Sequence, residues 1–162
     1  MKELIITLIV LFSTTALTEY EIKQLIHEYL DEMDAKPDYE GKGKDQTFFV
    51  ATKCTAGLYA AFGGDNPEKE DELGDQLLAV SKGMGYLIDA EHKGGKKTKG
   101  QVDTEVENLI QSYFTEYVNH QGHWYENVRT DPDEIYSPRM KEDLKFCLDF
   151  GEQMGIFELP ED

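Results

Sequence analysis

The chain carries two cysteines, Cys54 and Cys147, and their placement constrains the fold more than any other feature. Cys54 lies inside TFFVATKCTAGLYAAF, Thr47 to Phe62, the most apolar and least charged run after the N-terminus. Cys147 lies in the last helix-like stretch. A bond between them would tie these two stretches together and make everything between a closed loop. Whether they are bonded depends on the compartment, because disulfides persist in oxidising surroundings and thiols in the cytosol.

The first residues speak to that question. Met1-Lys2 precedes an apolar run from Leu4 to Phe12, interrupted only by Thr7, and then Ser13-Thr14-Thr15-Ala16. A short charged start, an apolar core and small residues at a cleavage point make a secretory signal, so residues 1–16 are expected to be removed after Ala16. Retention as an anchor is the alternative, but the run is shorter than the roughly 17 residues needed to span a bilayer. The mature product is therefore expected to be exported, periplasmic or secreted, with a Cys54–Cys147 disulfide rather than two buried thiols. No C-x-x-C is present, so a redox-active pair is not expected.

Hydrophobic residues make up 40% and charged residues 30% of the chain. That balance fits one globular domain over 17–162. The net charge of −17, from 33 acidic and 16 basic side chains, repels phosphate backbones and anionic lipid. Nucleic acid is excluded as a partner; a cationic partner or a metal cation fits the acidity.

Helical periodicity recurs five times. A capping-box pattern, Thr18 with Glu21, opens a helix over 19–34 with Ile22, Leu25, Ile26, Tyr29, Leu30 and Met33 on one face. Pro37 and Gly41-Lys42-Gly43-Lys44 read as a linker. The Cys54 stretch, 46–63, is apolar all round and rich in small residues, which favours a buried helix over a strand. Asn66-Pro67 starts a helix over 67–91 with Leu73, Leu77, Val80, Met84, Leu87 and Ile88 as its core face. HKGGKKTKG, 92–100, reads as a solvated, mobile connection, or in the sharper reading a dock for an anionic group. Asp103 caps a helix over 103–121, which ends at Gly122 or runs on through Trp124 to Asn127. Its stripe is Val106, Leu109, Ile110, Tyr113, Phe114, Tyr117 and Val118. Ser137-Pro138 starts the last helix, 138–154, with Met140, Leu144, Cys147, Leu148 and Gly151 in register. The fold class is an all-α bundle of about five helices after a cleaved signal peptide, cross-linked by one disulfide.

Catalytic signatures are missing. Ser81, Ser112 and Ser137 stand outside any G-x-S-x-G, Gly83-x-Gly85 follows no strand, and no C-x-x-C-H exists for haem. The one constellation is Glu116, His120 and His123, which a continuing helix brings to one side as a ligand set for a divalent metal. Against it, His120 aligns with Tyr113, Tyr117 and Trp124 as an ordinary interior histidine would. Two functional classes follow. The first is a non-enzymatic, protein-binding factor of the accessory, inhibitor or immunity type. The second is a small-ligand or metal-binding protein, or a hydrolase, centred on Glu116, His120, His123 and Trp124.

Expression in a bacterial host should yield an exported product beginning at Leu17, read by N-terminal sequencing. Product retained in the membrane fraction and still beginning at Met1 would indicate an anchor instead.

Overall fold

The computed structural model describes residues 22–62, 72–92 and 94–156. The expected signal segment, the Thr18–Glu21 box, the Asn66–Pro67 start and the tail from Phe157 lie outside them. Five helices make up the described structure: α1 Ile26–Asp34, α2 Lys42–Phe62, α3 Glu72–His92, α4 Lys99–Asn127 and α5 Pro138–Gln153. No strand occurs among the described residues. No helix there is long and apolar enough to cross a membrane.

Helix α2 is the hub and packs against each of the other four. Every residue from Val50 to Leu58 is buried, as its all-round apolar sequence requires. The two threonines of this stretch are satisfied inside the helix, each hydroxyl returning to the backbone one turn earlier. Thr52 Oγ1 donates to the Phe48 carbonyl at 2.8 Å and Thr55 Oγ1 to that of Ala51 at 2.8 Å. Gly57 lets α4 approach, since a Cβ there would stand 3.4 Å from the Tyr117 ring. On the α5 side, Cys54 and Cys147 are bonded, with their Cα atoms 5.3 Å apart and a sequence separation of 93. In α5, Met140, Leu144, Cys147 and Gly151 form the expected buried face.

Four expectations are corrected. Helix α1 begins at Ile26, because residues 22–25 find tertiary partners for their backbone instead of a helix. Lys23 N–H donates to Glu116 at 2.8 Å, Leu25 N–H to Glu28 at 2.8 Å, and the Ile22 carbonyl accepts from Arg139 at 3.1 Å. Helix α2 begins at Lys42, so the Gly-Lys run expected as linker is its first turn. Gly41, at φ 94°, provides the sharp entry. Helix α4 starts earlier than Asp103, because Thr98 and Gln101 form a capping box. The Gln101 side chain accepts from Thr98 N–H at 2.8 Å. The helix then runs through Gly122 to Asn127. Asp103 instead accepts from the Tyr86 hydroxyl.

The fourth correction concerns which face of α3 is buried. Leu87, expected in the core, is 48% exposed. The buried register is Gly74, Leu77 and Ser81, and it continues through Gly85 to Asp89 at four-residue spacing. Ser81 returns its hydroxyl to the Leu77 carbonyl at 2.8 Å. Gly85 lies so close to α4 that a Cβ would meet Val106 Cγ2 at 3.0 Å and Val102 Cγ1 at 3.2 Å. Val118, likewise expected inside, is 44% exposed on α4.

Replacing both cysteines by alanine should cost about 4–5 kcal/mol, the chain-entropy value for so long a loop, measured by urea unfolding. Gly85→Ala should destabilise, because α3 and α4 must separate. At Gly83 an added Cβ meets nothing within 4 Å. Gly83→Ala should therefore stabilise by about 1 kcal/mol. Equal effects of the two glycine changes would contradict the crossing.

Candidate functional site: a cleft walled by a buried aspartate

The three residues expected as metal ligands go to separate tasks. Glu116 is 3.0 Å from the Lys53 ammonium and also accepts the Lys23 N–H. His120 Nε2 lies 2.8 Å from Ser137 Oγ, at the start of α5. His123 Nδ1 lies 3.2 Å from the Asn127 amide, one turn along α4. Among the described residues, no three His, Cys, Asp or Glu side chains gather as a metal-binding group. Trp124 is buried. The His120–Ser137 contact is not a nucleophilic pair, because Ser137 is 1% exposed and its hydroxyl accepts the Met140 N–H as the α5 cap. Gln121 and Tyr125 complete this fastening by donating to the Ile135 carbonyl at 2.7 and 2.6 Å.

Glu116 belongs to a buried network. Lys53 is 1% exposed, with its ammonium 4.9 Å from the ring centres of both Tyr113 and Tyr117. Such ring faces attract a desolvated cation. Tyr117 donates to Asp143 Oδ2 at 2.5 Å, and the Ile26 N–H donates to Asp143 Oδ1 at 2.9 Å. Burial raises the Asp143 carboxyl, although both of these hydrogen bonds and Lys53 act the other way. Burial, then the neighbouring Asp143 charge, holds the Tyr117 hydroxyl well above its ordinary value of 10.0. Burial also pushes Tyr113 up to about 12. Lys53, Tyr117 and Asp143 are buried and paired, so the network joins α1, α2, α4 and α5 rather than presenting chemistry to a ligand.

A sizeable concavity lies elsewhere. Helices α1 to α4 and the α3–α4 connection enclose a cleft of about 590 Å³. Its walls are apolar and aromatic, with Tyr29, Phe48, Phe49, Val102, Val106 and Leu109 prominent. The Tyr29 and Phe49 rings stack with centroids 3.7 Å apart, which fixes that wall. Gly85 contributes bare backbone.

The charged groups of the cleft are Asp45, Asp89 and Glu105 against Lys36 and Lys97. Most are engaged. Asp45 accepts the Tyr39 hydroxyl at 2.6 Å, Lys97 pairs with Glu105, and the Lys36 ammonium lies 3.4 Å from Met33 Sδ. Asp89 differs: it is 6% exposed, and only half of its carboxylate is satisfied. Oδ2 accepts the Lys97 N–H at 3.2 Å, while its backbone carbonyl accepts the Gly95 N–H at 3.0 Å. Oδ1 is buried and has no hydrogen-bond partner. The connection expected as a solvated linker is thus a built turn with Asp89 as its anchor. Gly94 and Gly95 stand in it at φ 68° and 63°, where side chains other than glycine's are strained.

Sequence reading missed Asp89 because the α3 stripe was assigned to its large apolar residues. The available signal was the small residues: Gly74, Ser81 and Gly85 mark the helix's close-packed side, and Asp89 continues it by one turn.

The network makes a pH-dependent prediction. The unfolded chain releases the Tyr117 proton near its ordinary value of 10.0, whereas the folded chain keeps it. Stability from this group is therefore complete below about pH 10 and is lost as pH rises toward the raised folded value. Tyr117→Phe should cost about 1–3 kcal/mol at neutral pH, because Asp143 Oδ2 loses its donor. Its stability should also fall less steeply above about pH 10, by one proton's slope, in pH-resolved urea unfolding. Parallel curves for the two proteins would contradict the burial of that hydroxyl.

Comparison with known proteins brings no counterpart: no family model, no curated protein and no solved structure matches the chain.

Proposed function

We propose that this protein is an exported, non-enzymatic binding protein whose recognition site is the cleft lined by α1 to α4. The observation that carries this reading is Asp89, a nearly buried carboxylate with one unpartnered oxygen in the wall of a largely apolar cavity. Concave apolar walls with a few convergent polar groups are the general form of a small-molecule site. A buried acceptor without a donor costs free energy that a ligand's donor can restore. Catalysis has less support, because the titratable groups near the cleft are mostly paired with one another and none forms a nucleophile–base pair. Export is supported by the N-terminal apolar run together with the Cys54–Cys147 disulfide, which suits an oxidising compartment.

A second reading, binding of another protein, has its own observation. Val128 and Ile135 are 54% and 62% exposed, beside Tyr125, whose hydroxyl holds the Ile135 carbonyl. Such a rim of large apolar side chains suits a protein contact better than solvent. A Val128→Glu, Ile135→Glu double variant should lose any stoichiometric partner captured by the mature protein from envelope extract.

The cleft reading is tested by thermal shift against a small-molecule library, with wild type beside Leu109→Trp, which fills the cleft. Compounds that raise the wild-type melting temperature should leave the variant unmoved. A library without a single stabiliser, or equal shifts in both proteins, would contradict it.

A further inference from the structure

Asp89 is more specific than a polar spot on an apolar wall. Its Oδ2 is committed to the Lys97 N–H and its carbonyl to the Gly95 N–H, so the side chain is held at a fixed point by the turn it anchors. Oδ1 is left over, buried and bare. Asp89 lines the cleft, so a donor seated against this wall is placed beside the unsatisfied carboxylate. A neutral donor would satisfy Oδ1, but a cationic donor makes the stronger bond to a carboxylate withdrawn from water.

The surroundings favour a positive charge. Among the charged cleft residues, the Lys97–Glu105 pair is internally neutral, which leaves Asp45 and Asp89 against Lys36. Lys36 is exposed, with its ammonium near Met33 Sδ, whereas Asp89 is in the wall. Phe48 and Phe49 offer ring surfaces of the kind that attract cations. The whole chain carries −17, which raises the local concentration of small cations before they reach the cleft. An anionic ligand would meet the opposite of each condition.

On the reading that the cleft is a small-molecule site, we infer that it takes an organic amine: an ammonium on Asp89 and an apolar or aromatic body against Phe48, Phe49 and Val106. The apolar body supplies most of the contact. The ammonium selects this class over alcohols and acids of the same shape.

The test uses three probes of matched shape on the mature, disulfide-bonded protein: phenethylamine, phenethyl alcohol and hydrocinnamate. Affinities are measured by calorimetry and by chemical-shift titration for wild type, Asp89→Asn and Leu109→Trp. Phenethylamine should bind wild type at least about tenfold more tightly than the alcohol, the lower end expected of a charge-assisted hydrogen bond. Hydrocinnamate should bind most weakly. Asp89→Asn keeps an oxygen for the Lys97 N–H; it should remove the amine's advantage and leave the alcohol unchanged. Leu109→Trp should abolish binding of all three. Equal affinity of amine and alcohol for wild type, or tighter binding of hydrocinnamate, overturns the inference while leaving the cleft reading in place. That comparison decides even if Asp89→Asn does not fold. Binding of no probe to wild type overturns the inference; binding that Leu109→Trp does not alter overturns the cleft reading with it.

Discussion

A lysine ammonium enclosed in the middle of the central helix is the constraint on which the rest of this bundle depends. Lys53 precedes Cys54 in the stretch where every residue is buried, so its charge cannot reach water along that helix. An unpaired ion there would be prohibitive, and pairing must come from other helices. Glu116 of α4 supplies the counter-charge, and Tyr113 and Tyr117 supply ring faces. Glu116 then holds the Lys23 N–H, while Tyr117 reaches Asp143, which holds the Ile26 N–H. One buried charge therefore organises the entry to α1, the middle of α4 and the face of α5. A buried ion pair is a weak contributor to net stability but penalises any arrangement that separates its members.

The disulfide acts on the same core from the covalent side. Cys54 stands next to Lys53, and Cys147 lies one turn beyond Asp143, so both ties meet at α2 and α5. The cleft lies among α1, α2, α3 and α4, where Gly85 draws two helices together and aromatic rings line the space. Rigid walls suit a preformed site, because little ordering remains to oppose binding. Nothing in the closed core is accessible enough to act on a substrate, which directs attention to the cleft.

Much of the fold was legible because it follows from patterns written in large residues. The apolar run around Cys54, the face Met140–Leu144–Cys147 and the Ser137-Pro138 start each specify a helix and its inward side. The disulfide followed from export logic applied to two cysteines. What was not legible depends on contacts distant in sequence. Residues 22–25 have helical spacing, yet their backbone groups are taken by Glu116, Glu28 and Arg139, and only Glu28 is a near neighbour in the chain. The α3 face was misassigned because large apolar residues outweighed Gly74, Ser81 and Gly85, although close approach selects small ones. The sequence suggests Glu116 only as a metal ligand beside His120 and His123; its partner, Lys53, lies 63 positions away in the least charged run after the N-terminus, so their pairing has no local signal.

The dependence on Lys53 is tested most directly by a double-mutant cycle in the disulfide-bonded protein, using Lys53→Met, Glu116→Gln and the double variant. Glu116→Gln leaves an ammonium buried without its counter-charge and should cost about 3–5 kcal/mol in urea unfolding. The double variant removes both charges and should cost clearly less than the two single changes together. A coupling well above about 0.5 kcal/mol is the predicted result. Additive costs, with Glu116→Gln near wild type, would mean that the Lys53 charge is not what holds these helices in register.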